Sequence, residues 1–211
     1  MSLSKKKENE IKELLESFTK ISSGKDFEIV IIEDGSTDDC QGVIKDFNSQ
    51  LTISYYKKGN TGPGDSRNYG MKKAKGNYFI ILDSDCLLPE DYMQKVIYNL
   101  NNNYVDCFGG VDGSHESFSD YQKAVSFSMT SFLTTGGIRG GKYKKKLFQP
   151  RSFNMGISKD AFLKSKKENN RKGQTLRQGP LWENKNKVDT IAYFTQLVGE
   201  KSRNFIHTRF C

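Results

Sequence analysis

The chain predicts an α/β fold, a Rossmann-like three-layer sandwich around a mainly parallel central sheet. Three observations carry this. The apolar runs Ile29-Val30-Ile31-Ile32 and Tyr78-Phe79-Ile80-Ile81-Leu82 are continuous rather than alternating, as in strands covered on both faces. Segments of helical periodicity separate the strands, and short connections between them imply parallel pairing through right-handed crossovers. At 211 residues the chain is long enough to bury one sizeable core.

Met1-Ser2-Leu3 reads as an expression leader. Ile11, Leu14, Leu15 and Phe18, at i, i+3, i+4 and i+7, then form one apolar stripe on a charged helix that Gly24 ends. A strand over 27–32 stops at Glu33-Asp34-Gly35-Ser36. Ser36, Thr37 and Asp38 can cap a short helix through Val43, Ile44 and Phe47. Alternation predicts a strand over 51–56, and the glycine-rich loop 59–64 leads into a helix over 65–75. The strand 78–82 follows. Pro89-Glu90-Asp91 opens a helix whose Tyr92, Val96, Ile97 and Leu100 face inward. A strand over 104–108, an amphipathic helix over 120–132, a strand over 152–157 and a helix near 159–163 complete the pattern. There is no internal repeat.

Net charge is +8, which suits an anionic partner: nucleic acid, lipid head groups or a phosphorylated substrate. No basic stripe is interleaved with aromatics and no nucleic-acid motif occurs, so nucleic acid is excluded. Lys142-Tyr143-Lys144-Lys145-Lys146 reads as a solvated loop, with phosphate attraction or peripheral membrane contact as the alternative. Cys40, Cys86, Cys107 and Cys211 lack metal-ligand spacing and no secretory leader is present, which implies reduced thiols in a cytoplasmic protein, at most at the membrane surface. No apolar run approaches the roughly 18–20 residues that cross a bilayer. His115 and His207 are isolated.

The chemistry concentrates at three strand ends. Asp83-Ser84-Asp85 places two carboxylates one residue apart directly after a buried strand. Such a pair asks for a cation, and hard oxygen ligands suit Mg²⁺ or Mn²⁺, whose shell is completed by water and substrate phosphates. In open α/β sheets ligands sit beyond the carboxyl ends of the strands, so a metal–diphosphate site is implied. An Asp-x-Asp triplet alone can equally be a pair of solvated loop acids or helix caps. At the second strand end Asp34 can accept from an N–H or a hydroxyl, or simply form the turn before Gly35. In the third segment, Gly62-Pro63-Gly64-Asp65-Ser66-Arg67-Asn68, the glycines let backbone approach a ligand. Arg67 can lie against a base plane, take carbonyl oxygens in its fork, or pair with a nearby acid.

Glu33-Asp34-Gly35-Ser36-Thr37-Asp38, Gly62-Pro63-Gly64-Asp65-Ser66-Arg67-Asn68-Tyr69-Gly70 and Leu82-Asp83-Ser84-Asp85 together resemble the family 2 glycosyltransferases. The segment 153–162, from Phe153-Asn154-Met155-Gly156-Ile157 onward, resembles that family's later acceptor-side segment. The likeness covers residues 27 to about 162. It implies a GT-A fold and an inverting transfer from a nucleotide-diphospho-sugar, of UDP or GDP type, to a glycan or lipid-linked acceptor. It implies a nucleotide-sugar-binding half over 27–110, after the leader and helix of 1–26, and an acceptor-side half over 111–163. By the same resemblance Glu33, Asp34, Gly35, Arg67, Asp83 and Ser84 bind the donor, with Asp34 and Arg67 at the base and Asp83 near ribose and metal. Asp85 is the principal metal ligand, Asp83 the second, and the cofactor Mg²⁺ or Mn²⁺.

The chain departs from that pattern twice. Family members open with an apolar strand ending in a Pro-x-Tyr-Asn-like turn, and this first strand is missing here. After about Leu163 no Gly-Glu-Asp-like segment supplies the expected general base, and 164–211 reads as an atypical polar tail, as a truncation or reading-frame change would produce. The catalytic base is therefore unknown, with Glu183 a weak candidate. Two other classes stay open: a nucleotidyltransferase, which also holds a metal on acids at a sheet edge, and a noncatalytic protein that binds nucleotide sugars without turnover.

Overall fold

The computed structural model describes residues 3–21, 27–36, 40–109, 119–131, 154–168, 191–198 and 209–210. Helix α1 (Leu3–Thr19) precedes strand β1 (Phe27–Asp34), followed by α2 (Gln41–Phe47), β2 (Ile53–Lys58), α3 (Pro63–Lys73) and β3 (Tyr78–Asp83). A short β4 (Cys86–Leu87) leads to α4 (Tyr92–Asn102), β5 (Cys107–Gly109) and α5 (Asp120–Thr130). The chain ends with β6 (Met155–Ser158), α6 (Lys159–Glu168), β7 (Ile191–Val198) and β8 (Arg209–Phe210).

The main sheet has the order β2-β1-β7-β3-β6-β5. β2, β1, β7 and β3 are mutually parallel, while β6 runs antiparallel to both β3 and β5. β4 and β8 form a separate parallel pair.

Strand alternation sorts the core into two layers. Ile29 and Ile31 of β1, with Tyr78, Ile80 and Leu82 of β3, face one side. There they meet Ile11, Leu14, Leu15 and Phe18 of α1, Ile44 and Phe47 of α2, and Met93, Val96 and Leu100 of α4. Val30, Ile32, Phe79 and Ile81 face the other side, against Met71 of α3 and Phe162 of α6. The stripe read from the sequence on α1 is thus its buried face, with Ile11, Leu14 and Leu15 all at 0% exposure. Burying each such side chain stabilises by about 1.5–3 kcal/mol. Because both faces are covered, β1 and β3 carry no polar alternation.

In keeping with the sequence reading, no strand precedes β1 among the described residues; the sheet is continuous because β7 fills the position between β1 and β3. Other expectations are revised. The segment 164–211, read as an atypical polar tail, supplies that central strand, and α6 extends through it to Glu168. The eight residues Ile191–Val198 pair on both edges, with Phe27–Asp34 on one side and Tyr78–Asp83 on the other. The strand expected over 104–108 is shorter and lies at Cys107–Gly109. Among the described residues, no disulfide joins Cys40, Cys86 or Cys107. Among the described residues, no helix is long and apolar enough to cross a membrane.

Candidate functional site

The site lies at the carboxyl edge of β1 and β3, on the face covered by α3. β1 ends in Asp34 and β3 in Asp83, and both fall in the alternation series that faces α3. Between them, Val198 of β7 is in register with Asp34 and Gln196 with Asp83. The far end of the chain therefore delivers its backbone to the middle of the edge.

Asp34 is fully buried and its carboxylate is saturated. Oδ1 accepts from the Thr61 amide at 2.9 Å and the Lys58 ammonium at 2.7 Å, while Oδ2 accepts from the Gly62 amide at 3.0 Å. Lys58 arrives by register, since it is the residue of β2 opposite Asp34. Its Nζ also contacts Asp65 at 3.3 Å and the Thr61 hydroxyl. Thr61 Oγ1 in turn donates to Asp65 at 2.6 Å. Burial pushes the Asp34 carboxyl up, but hydrogen bonds from Lys58, Thr61 and Ser66 and the Lys58 charge outweigh it, holding the group below its ordinary value. Burial likewise pulls the Lys58 ammonium down, and Asp34 and Asp65 more than offset this, so it titrates above its usual value. The pair is an anchor for the glycine-rich loop.

The loop needs that anchor because of its backbone. Gly62 sits at φ +92° and Pro63 occupies the first turn of α3. Glycine reaches the positive φ without steric cost, and proline there lacks only an N–H that would be orphaned anyway. Gly35 adopts φ +72°, and a Cβ on it would stand 2.6 Å from the Cβ of Asn60. The turn after β1 and the loop before α3 therefore pack backbone to backbone.

Arg67, in the second turn of α3, points its Nη2 at Asp83 Oδ1, 3.3 Å away. Its Nε is buried and meets no acceptor among the described residues. Asp83, Ser84 and Asp85 are all partly accessible at the end of β3. Asp83 and Asp85 offer hard oxygen donors to Mg²⁺ or Mn²⁺. Among the described residues no group of three or more His, Cys, Asp or Glu could hold a metal ion. A pair of carboxylates is the kind of donor set that Mg²⁺ takes when phosphate oxygens and water complete its shell.

Of the residues singled out in the sequence, Asp34, Gly35, Arg67, Asp83, Ser84 and Asp85 gather at this edge. Glu33 does not join their face. Alternation sends it to the α1 side of the sheet, where it is fully buried and accepts from the Tyr55 hydroxyl through Oε2, while Oε1 has no partner among the described residues. Glu183 and the lysine cluster 142–146 lie outside the described residues. Lys58, Thr61 and Tyr55 were missed by sequence reading. Their only signal is the parallel register of β2 on β1, which brings Lys58 beside Asp34 across 24 residues.

Comparison with solved structures defines the class first. Residues 1–349 of TarS from Staphylococcus aureus superpose with a TM-score of 0.58 at 19% identity, covering 76% of this chain and 46% of that one. The same protein in complex with UDP-GlcNAc gives 0.55 at 21%, covering 74% and 43%. The fold is that of the GT-A glycosyltransferases. The chain belongs to glycosyl transferase family 2, whose profile matches residues 4–166. Among relatives, the glycosyltransferase GlyA of Streptococcus pneumoniae is 27% identical over 186 residues, covering 75% of this chain and 26% of GlyA. A poly(ribitol-phosphate) beta-N-acetylglucosaminyltransferase, TarS, of Staphylococcus aureus is 34% identical over 91 residues, covering 42% and 15%. An uncharacterized glycosyltransferase of Rickettsia felis is 40% identical over 86 residues, covering 40% of this chain and 14% of that protein. The chain thus spans well under half the length of these relatives.

Proposed function

We propose that this chain is a glycosyltransferase domain that binds a UDP-type sugar donor and transfers the sugar, with inversion, to a hydroxyl of a glycan or lipid-linked acceptor. The observation that carries the reading is the Arg67–Asp83 pair at the carboxyl end of β3 and the Asp34-anchored loop at that of β1, on one edge of a parallel sheet. Family membership supports the reaction class, and the UDP-GlcNAc complex of TarS favours UDP over GDP.

In this reading Asp83 and Asp85 hold Mg²⁺ or Mn²⁺, which when bound neutralises charge on the departing nucleoside diphosphate. Arg67 lies beside the base of the donor, where its fork can take the base's carbonyl oxygens. The anchored loop keeps α3, and so Arg67, at a set distance from the edge. The acceptor oxygen attacks the anomeric carbon as its bond to the diphosphate breaks, and the hydroxyl proton passes to a base. Glu183, the candidate base, is outside the described residues. The net charge of +8 suits the phosphorylated donor, and also an anionic membrane surface carrying a lipid-linked acceptor.

Calorimetric titration with UDP-GlcNAc and GDP-mannose in Mn²⁺ tests this. Saturable UDP-sugar binding, lost by at least about tenfold in Asp85→Ala, is the expected result. Undiminished binding in that variant contradicts the metal role. Release of pyrophosphate rather than UDP during turnover would replace this reading with a nucleotidyltransferase.

A further inference from the structure

Helices α1, α2, α3, α4 and α6 each bury at least one apolar side chain in the core. In α5 none of the described side chains is buried. Tyr121 and Phe127 stand 79% and 71% exposed, Lys123, Ala124 and Ser128 are exposed beside them, and Val125 is half-buried. With 3.6 residues per turn, Tyr121 and Phe127 lie about 120° apart around the helix with Ala124 between them, so both rings stand on one side. We propose that this side of α5 docks on an anionic lipid surface. The inference goes beyond the donor reading and does not rest on it.

Charge selects the occupant. The sequence that follows α5 has one sign: residues 132–153 hold Arg139, Lys142, Lys144, Lys145, Lys146 and Arg151 and no acid, six charges of a net +8. Basic residues beside an interfacial helix attract anionic head groups, while tyrosine and phenylalanine rings settle at the boundary between head groups and acyl chains. A second copy of the chain would bring the same positive charge to the contact and be repelled by it. Length argues the same way. A helix of eleven residues is marginal in water by itself, and a lipid boundary supplies the apolar contact that the sheet gives the other helices. Tyr98 and Leu163, also exposed, each stand on a helix that core side chains anchor.

Co-sedimentation of the full chain with vesicles of phosphatidylcholine, alone or mixed with phosphatidylglycerol, tests this. The wild type is expected to bind the mixed vesicles at least about tenfold tighter than the neutral ones. Tyr121→Ala combined with Phe127→Ala keeps helix propensity and should lose about tenfold on mixed vesicles with an unchanged melting temperature. Tyr121→Phe combined with Phe127→Tyr keeps both rings and should stay within about twofold of wild type. Lys144→Gln, Lys145→Gln and Lys146→Gln together should also lose at least about tenfold. Failure of the wild type to bind mixed vesicles, or equal binding to both kinds, overturns the proposal without any variant. Full binding by the alanine pair overturns it too. So does a dimer, seen by light scattering without lipid, that the alanine pair abolishes, since a second copy would then be the occupant. None of these measurements includes a nucleotide, so their failure leaves the donor reading standing.

Discussion

Asp34 shows how much of this site depends on single carboxylates. It is a buried charge held by donors from Lys58, Thr61, Gly62 and Ser66, so removing it leaves the Lys58 ammonium, itself only 13% exposed, without its principal partner. Breaking such a pair from one side costs about 3–5 kcal/mol. Asp34→Ala should lower unfolding stability by that amount in urea titration, and a change within about 0.5 kcal/mol would show that the anchor is not structural. The pH dependence has a defined sign. The Asp34 carboxyl is depressed from 3.8, so its stabilisation is present above that pH and is lost as pH falls through the lower folded value. The Lys58 ammonium is raised from 10.5, so its share is present below that pH and is lost as pH rises through the higher folded value. The stability gap between wild type and Asp34→Asn should therefore be flat between these limits and close outside them, as read by thermal unfolding across pH. Gly35 carries a different constraint. Gly35→Ala combines a positive φ with a near-collision at Asn60, and should cost about 1–3 kcal/mol, measured by the same melts. These roles were partly legible: the glycines and acids stand out as a motif, but that Asp34 spends its oxygens on the loop depends on contacts 24 to 28 residues away.

At the level of elements, α3 is clamped at both ends by one strand. Glu28 and Asp34 lie six residues apart on the same face of β1, a span of about 20 Å, against about 16 Å for the eleven residues of α3. Glu28 accepts the amides just after the helix and Asp34 those just before it. Glu28→Ala should therefore free the Lys75 and Gly76 amides to exchange hydrogen faster by at least about tenfold without disturbing those of β1. The other decisive element is β7. Its residues pair with β1 on one edge and β3 on the other, so no N–H in its middle faces solvent. Phe194→Pro deletes a ladder donor at a central position and should cost about 3 kcal/mol or more, visible as a shifted urea midpoint. A negligible shift would mean that β7 is not a central strand. Sequence reading found α1 and α4 from their apolar spacing, α2 from its capping residues, α3 from the glycine-rich loop before it, and β1 and β3 from their apolar runs. It passed over Ile191-Ala192-Tyr193-Phe194-Thr195 because polar flanks surround it and no motif marks it.

Across the whole molecule, the sheet joins residues that are far apart in the chain. β1 and β3 meet only through β7, which follows them by more than a hundred residues. Closing so long a loop costs entropy before the pairing returns any stability, so the sheet should assemble late and cooperatively. A chain ending after Glu168 would leave the inner edges of β1 and β3 bare. It should lose the cooperative thermal transition and bind ANS, and a normal sharp melt would refute the central role of β7. The same topology explains why this sheet edge joins residues from distant parts of the sequence. Asp34 and Asp83 are separated in space by a strand that the first 168 residues do not contain.

What the sequence determined alone was local: which runs are buried strands, which face of α1 is apolar, and where carboxylates and glycines cluster after a strand. Those features follow from side-chain period and backbone preference, which act over a few residues. Tertiary structure alone decided that Ile191–Val198 enters between β1 and β3, that Glu33 and Asp34 part to opposite faces, and that Lys58 and Arg67 neutralise Asp34 and Asp83. Strand register and long-range charge pairing set these outcomes, and neither is encoded in any short stretch of residues.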